Sequence, residues 1–255
     1  MNALIVVLPG GLLAVYVLAI VLWHKGRETA ARALYWGAWA GSLVLLVCNG
    51  LAAEAPPVGN MHHVMCLFPV VMGPLYAFAA RVQRLAWLLP YFAGACALAL
   101  AGALCMPFQA SWRQMPALQS PWFVPHVTAY VLSYGLMTVA TLLALMSFIR
   151  KTEAARYLNA AHGALKLGFP LMTFGLWSGA VWADAAWSGY WAWDIKEAWS
   201  LITWGLYVVY FHLVRLPGWN CACRAVLLAA FAALIVTFLV VNLLPKLDSM
   251  HSYAM

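Results

Sequence analysis

Eight stretches of mainly apolar residues, at about 3–23, 33–53, 63–80, 85–106, 126–149, 168–184, 198–214 and 225–244, are joined by connections that hold most of the charge and are short except at about 107–125 and 185–197. A bilayer core of about 30 Å needs about 20 apolar residues per crossing, and lipid offers no partner for a bare N–H or C=O. Each stretch is therefore predicted to be a helix. With 66% hydrophobic and 8% charged residues and a mean hydropathy of +0.86, the chain lacks the polar surface that a soluble fold of 255 residues needs. The sequence predicts an all-α, polytopic integral membrane protein of about eight transmembrane helices, with residues 1–255 forming a single membrane domain. The first helix, Ala3 to Trp23, is long and continues without a small-residue cleavage site, so it is expected to be retained rather than removed as a signal peptide.

Cytoplasmic connections collect Lys and Arg. Taking alternate connections as cytoplasmic gathers Lys25, Arg27, Arg32, Arg81, Arg84, Arg150, Lys151, Arg156, Lys166, Arg215 and Arg224, eleven of the fourteen basic residues. Both termini are then predicted to be extracytoplasmic. The net charge of +7 follows from topology and gives no reason to invoke nucleic acid. The six cysteines do not form a disulfide framework: Cys48, Cys66, Cys96 and Cys105 lie in or near apolar runs, and Cys221 and Cys223 are expected in a cytoplasmic loop.

One extracytoplasmic segment stands apart. Six tryptophans fall between Gly179 and His212, with Asp194, Lys196 and Glu197 among them just before an apolar run. Two or three such rings read as an interfacial belt. This density, with embedded charge over residues 179–200, predicts a partly polar aromatic platform at the membrane surface.

The run Trp187-Ser188-Gly189-Tyr190-Trp191-Ala192-Trp193-Asp194-Ile195-Lys196-Glu197-Ala198-Trp199-Ser200-Leu201-Ile202-Thr203-Trp204 resembles the tryptophan-rich WWD signature of haem-handling proteins. Its WDxKExWSLITW ending is similar to the CcsA (ResC) family of cytochrome c biogenesis. Ile195 stands where that family usually has proline. The Pro56-Pro57 turn before His62 and the closing His251-Ser252-Tyr253 also resemble family features.

The resemblance implies a membrane protein that carries haem across the bilayer and presents it for covalent attachment to apocytochrome c, as one component of a haem lyase. It implies non-covalently held haem b with His126 and His251 as axial ligands of the iron. Trp182, Trp187, Trp191, Trp193 and Asp194 would lie against the haem, and His212 would be a transmembrane station on the way to it. The family's matching second transmembrane histidine belongs to a CcsB (ResB)-like protein, so a partner chain is implied, with a CxxCH apocytochrome c as the client. The implied location is a bacterial inner (cytoplasmic) membrane or a thylakoid membrane, with the tryptophans on the periplasmic, outer or lumenal face.

From the residues alone, other readings stay open. A histidine at a helix start on the outer face, such as His126, also serves as an interfacial hydrogen-bonder. His62 and His63 point about 100° apart on a helix, which disfavours joint ligation and leaves an interfacial polar role. His24 and His162, among basic residues, are expected to be solvated. A CcmC-like protein that passes haem to a carrier is the nearest alternative function. A cytochrome b-like respiratory subunit is a further one, and it would place histidine pairs at matching depth within facing helices.

Overall fold

A computed structural model describes residues 2–106, 116–217 and 220–243. All eight expected runs are helical, and no strand occurs among the described residues: α1 (Asn2–His24), α2 (Glu28–Ala53), α3 (Met61–Arg81), α4 (Leu89–Cys105), α5 (Phe123–Ile149), α6 (Ala154–Trp187), α7 (Ile195–Leu213) and α8 (Asn220–Ile235). The last continues through a π-helical turn, Val236–Val240, into Val241–Leu243. The chain is an all-helical, polytopic membrane protein. Among the described residues, six helical segments are long and apolar enough to cross a membrane: Leu4–His24, Glu28–Ala53, Met61–Arg81, Ala86–Cys105, Phe123–Ile149 and Cys221–Val240. Composition sets α6 and α7 apart from these. Tryptophan, tyrosine, histidine and the charged Lys166, Asp184, Lys196 and Glu197 dilute their hydropathy. These are the helices that carry the tryptophan-rich segment.

The chain divides into two compact units, Met1–Gln114 and Met115–Met255. In the first, α1 packs on α2 and α4, and α3 packs on α2 and α4. Its core is aromatic, with Tyr35 set edge-on to Tyr16 at 5.7 Å and to Tyr76 at 5.0 Å. Proline inside α3 shapes this packing. Pro74 has no N–H to give to the carbonyl of Val70, one turn earlier. The Trp39 indole N–H donates to that carbonyl at 2.8 Å instead. Gly73 makes the approach possible, because a Cβ there would collide with the Trp39 indole ring. Gly73→Ala is therefore expected to lower stability by about 1–3 kcal/mol through overpacking against a rigid ring. Gly37→Ala, where a Cβ meets nothing within 4 Å, should be neutral or slightly stabilising. Thermal unfolding of the two variants in the same detergent makes the comparison.

His62 and His63, expected to take an interfacial polar role, both lie in the first turn of α3 at under a tenth exposure. The His62 Nδ1–H donates to the Ala103 carbonyl at 3.2 Å, and the His63 backbone N–H donates to the Asn60 side chain, which caps the helix, at 2.8 Å. Their ring centroids stand 6.3 Å apart.

In the second unit, α5 and α7 each pack on both α6 and α8, so α5 and α7 face each other diagonally across the bundle. Consecutive helices run antiparallel, which brings the starts of α5 and α7 and the end of α6 to one end. A stripe of glycines lets α5 lie close on α6. A Cβ on Gly168 would reach Met137 at 3.2 Å, one on Gly175 would reach the Tyr130 ring at 3.1 Å, and one on Gly179 would meet the ring of His126. The Ser133 hydroxyl donates to the Gly168 carbonyl at 2.9 Å within this seam. Two sequence expectations are corrected here. The polar stretch 154–167 is helical rather than a connection, because its alanines and leucines are strong helix formers. Cys221 and Cys223 lie in the first turn of α8 rather than in a loop, and Cys223 is buried.

Candidate functional site

His126 sits in the first turn of α5, following Pro125 at a position where a missing N–H costs no helical bond. Its Nδ1 is 2.8 Å from the Gly175 carbonyl oxygen. A carbonyl only accepts, so Nδ1 carries the proton and Nε2 carries the imine lone pair of the neutral ring. The ring is gripped on several sides. Trp182 stacks on it with centroids 5.6 Å apart and planes at 26°, and Tyr130 meets it edge-on at 4.9 Å. A Cβ on Gly179 would stand 2.6 Å from Cε1 and 2.8 Å from Nδ1, so only glycine admits the imidazole there.

Trp182 is itself fixed. It is 2% exposed, its indole N–H donates to the Ala117 carbonyl at 2.7 Å, and it packs against Phe123 at 5.3 Å and Trp187 at 4.9 Å. A tautomer pinned by a backbone carbonyl is the arrangement that orients a metal-ligating imidazole. Among the described residues no group of three His, Cys, Asp or Glu side chains could hold a metal ion. His126 presents one imidazole nitrogen beside aromatic walls, an arrangement that would suit an axial position on an iron whose equatorial ligands all come from a macrocycle.

Beyond Trp187, Ser188 closes α6 in the left-handed conformation at φ 59°. Trp191 and Trp193 then pair edge-on at 5.9 Å. Trp193 has φ 57° and is 72% exposed. A bulky residue held in that region costs on the order of 1–3 kcal/mol and persists only where its surroundings impose it. Glu197 imposes it. Its carboxylate accepts from the backbone N–H of Ala192 at 2.8 Å and of Asp194 at 3.2 Å, clasping the chain on either side of Trp193. Asp194 caps α7, accepting the Lys196 N–H at 3.3 Å and completing a capping box with Glu197. Ile195 occupies the first helical position, where proline is favoured but not required, so its departure from the family pattern leaves the helix start intact.

The other sequence-derived residues lie apart from this cluster. The helix α7 starts at Ile195, so His212 falls in its last turn, roughly 25 Å from the start. It is exposed, and its Nδ1 donates to the Val208 carbonyl of its own helix at 2.8 Å. His162, expected to be solvated, is half-buried on α6: its Nδ1 is 3.4 Å from the Tyr210 hydroxyl and its ring 5.7 Å from Phe211. His251 lies outside the described residues.

The family model described as "Cytochrome C assembly protein" matches residues 57–247. The chain belongs to that family. Curated relatives are named "Cytochrome c biogenesis protein CcsA", in line with the resemblance carried by the WDxKExWSLITW run. The one from Chlamydomonas reinhardtii is 38% identical over 152 residues, 54% of this chain and 42% of the relative. That from Marchantia polymorpha is 33% identical over 191 residues, 54% and 59% of the two chains. That from Gloeobacter violaceus is 28% identical over 312 residues, 88% of this chain and 91% of the relative. The matches to the first two relatives span about half the length of those proteins.

Proposed function

We propose that the chain carries and displays haem for cytochrome c maturation, as a CcsA-type component of a haem lyase. The observation that carries this reading is the His126 imidazole, held by the Gly175 carbonyl with Nε2 as its ligating nitrogen and Trp182 stacked on its face. His251 supplies the second axial nitrogen of a non-covalently held haem b, and the clasped turn with Trp191 and Trp193 meets the macrocycle edge. Asp194 contributes by building that turn. His212 is the inner station. The client is a CxxCH apocytochrome c, whose two thiols add across the haem vinyl groups: each sulfur bonds the carbon next to the ring, each proton goes to the terminal carbon, and nothing is oxidised. No nucleophile on this chain is needed. Its contribution is positioning, which supplies several kcal/mol when reacting groups are held in line. One axial bond must exchange for the client's own histidine.

In this reading the chain works in a bacterial cytoplasmic or a thylakoid membrane beside a CcsB (ResB)-like partner. Both termini and the tryptophans face the periplasmic or lumenal side. The test is the reduced absorption spectrum of the chain purified with and without a co-expressed ResB-like protein. A low-spin, b-type spectrum is expected; its absence from both preparations overturns the reading.

A further inference from the structure

Lys196 is the only cation between Gly179 and His212. Two independent registers locate it. On α5, Tyr130 lies one turn inward of His126; on α7, Ser200 lies one turn inward of Lys196. The side chains of Tyr130 and Ser200 come near each other across the bundle. Because α5 and α7 run in the same direction, residues one turn outward of that pair, His126 and Lys196, occupy the same level across the bundle. The α6 register agrees. The Trp204 indole N–H donates to the Thr173 hydroxyl at 3.0 Å, and counting outward at 1.5 Å per residue, six residues to Gly179 and eight to Lys196, puts Lys196 about 3 Å beyond the Gly179–His126 contact.

The ammonium is poorly compensated at that place. Burial pushes Lys196 down to about 8, and the pull of the Asp194 carboxylate only partly offsets it. Lys196 makes no ion pair within 4.0 Å among the described residues, whose ion pairs are Arg32–Glu28 and Arg156–Glu153. The nearby carboxylates are used by the backbone: Glu197 clasps two N–H groups and Asp194 caps α7. A half-buried cation without an ion pair, level with a ligating histidine, calls for an anion from the ligand.

We propose that Lys196 is the carboxylate anchor of this site, its ammonium pairing with a propionate of the haem whose iron His126 ligates. The inference rests on the haem reading above and adds to it a contact that fixes which edge of the macrocycle points across the bundle. With one propionate held at Lys196, rotation of the ring about its iron is opposed, so the propionate edge is kept toward Lys196 and the vinyl groups away from it. Lysine suits the task because a compact ammonium on a four-carbon stem can follow a propionate as haem enters and leaves.

The experiment titrates haem and haem dimethyl ester, whose carboxylates are masked, into the purified apo-chain with its partner, for wild type, Lys196→Met and Lys196→Arg. Binding is read from the Soret band. Wild type should bind haem about tenfold more tightly than the ester, as a charge-assisted pair requires. Lys196→Met should lose that preference, weakening haem about tenfold and the ester less than twofold, while Lys196→Arg keeps most of it. Equal weakening of both ligands by Lys196→Met, with the helical circular dichroism of the variant reduced, makes Lys196 a folding residue and overturns the proposal. Wild-type affinities for both ligands overturn it too. Failure of wild type to bind either ligand defeats the haem reading itself, so the two failures are distinct.

Discussion

If His126 is the axial ligand proposed above, replacing it with alanine will convert a low-spin haem spectrum to a high-spin one and lower haem occupancy by at least tenfold, while Trp182 and Tyr130 still wall the site. Imidazole supplied in solution should restore the low-spin bands, since the variant leaves a ring-sized space bounded by the Trp182 face, the Tyr130 edge and the open flank of Gly179. That rescue separates ligation from folding: a merely structural histidine would show lower yield and no response to imidazole. The measurement is the reduced spectrum of chain and partner purified together, with and without added imidazole. An unchanged wild-type spectrum from His126→Ala would remove the iron from this residue.

Gly179→Val should be nearly as damaging while leaving the ligand in the sequence. A Cβ at this position falls 2.6 Å from Cε1 of His126, and the ring has no room to retreat between Trp182 and Tyr130. The imidazole must swing away from the Gly175 carbonyl, losing the 2.8 Å bond that sets its tautomer. Overpacking of this kind costs about 1–3 kcal/mol, and here it falls on the ligand's orientation, so haem occupancy should drop about tenfold or more. Added imidazole will not rescue it, because the displaced His126 ring and the new side chain fill the space. Gly163→Val, where a Cβ meets nothing within 4 Å, is the matched control on the same helix. Equal spectra from the two valine variants would show that the glycine contact does not govern the site.

The helices were legible from apolar run length because a bilayer imposes it, and all eight runs are helical. Their ends were less so. The start of α6 at Ala154 is hidden because its basic residues read as a connection, although its alanines carry the helix far past the membrane thickness. The start of α7 at Ile195 is signalled by Asp194 and Glu197 at capping-box spacing, which stands in the sequence but is overshadowed by the tryptophans. His126 and Trp182 could each be picked out by resemblance, yet nothing in the order of residues says that their rings stack. Gly175 and Gly179 carry no chemical signal at all; their importance is the absence of a side chain opposite a particular ring, which only tertiary packing defines. His162 was misread for a related reason. Its sequence neighbours are basic, while its spatial neighbours, Tyr210 and Phe211, come from a helix nearly fifty residues away.

The Glu197 clasp makes the outer turn a mechanical extension of α7. Because the N–H groups on both sides of Trp193 are tied to a carboxylate in the helix's first turn, Trp193 cannot move independently of the helix beneath it. The helix is then a lever of 19 residues, roughly 28 Å long, with an exposed tryptophan at one end and His212 near the other. A tilt of about 10° pivoting at the inner end would sweep the tryptophan through roughly 5 Å, several times the motion expected of a side chain rocking within one rotamer. Any tilt of α7 would thus be transmitted to Trp193 as position, without any unfolding of the turn that bears it.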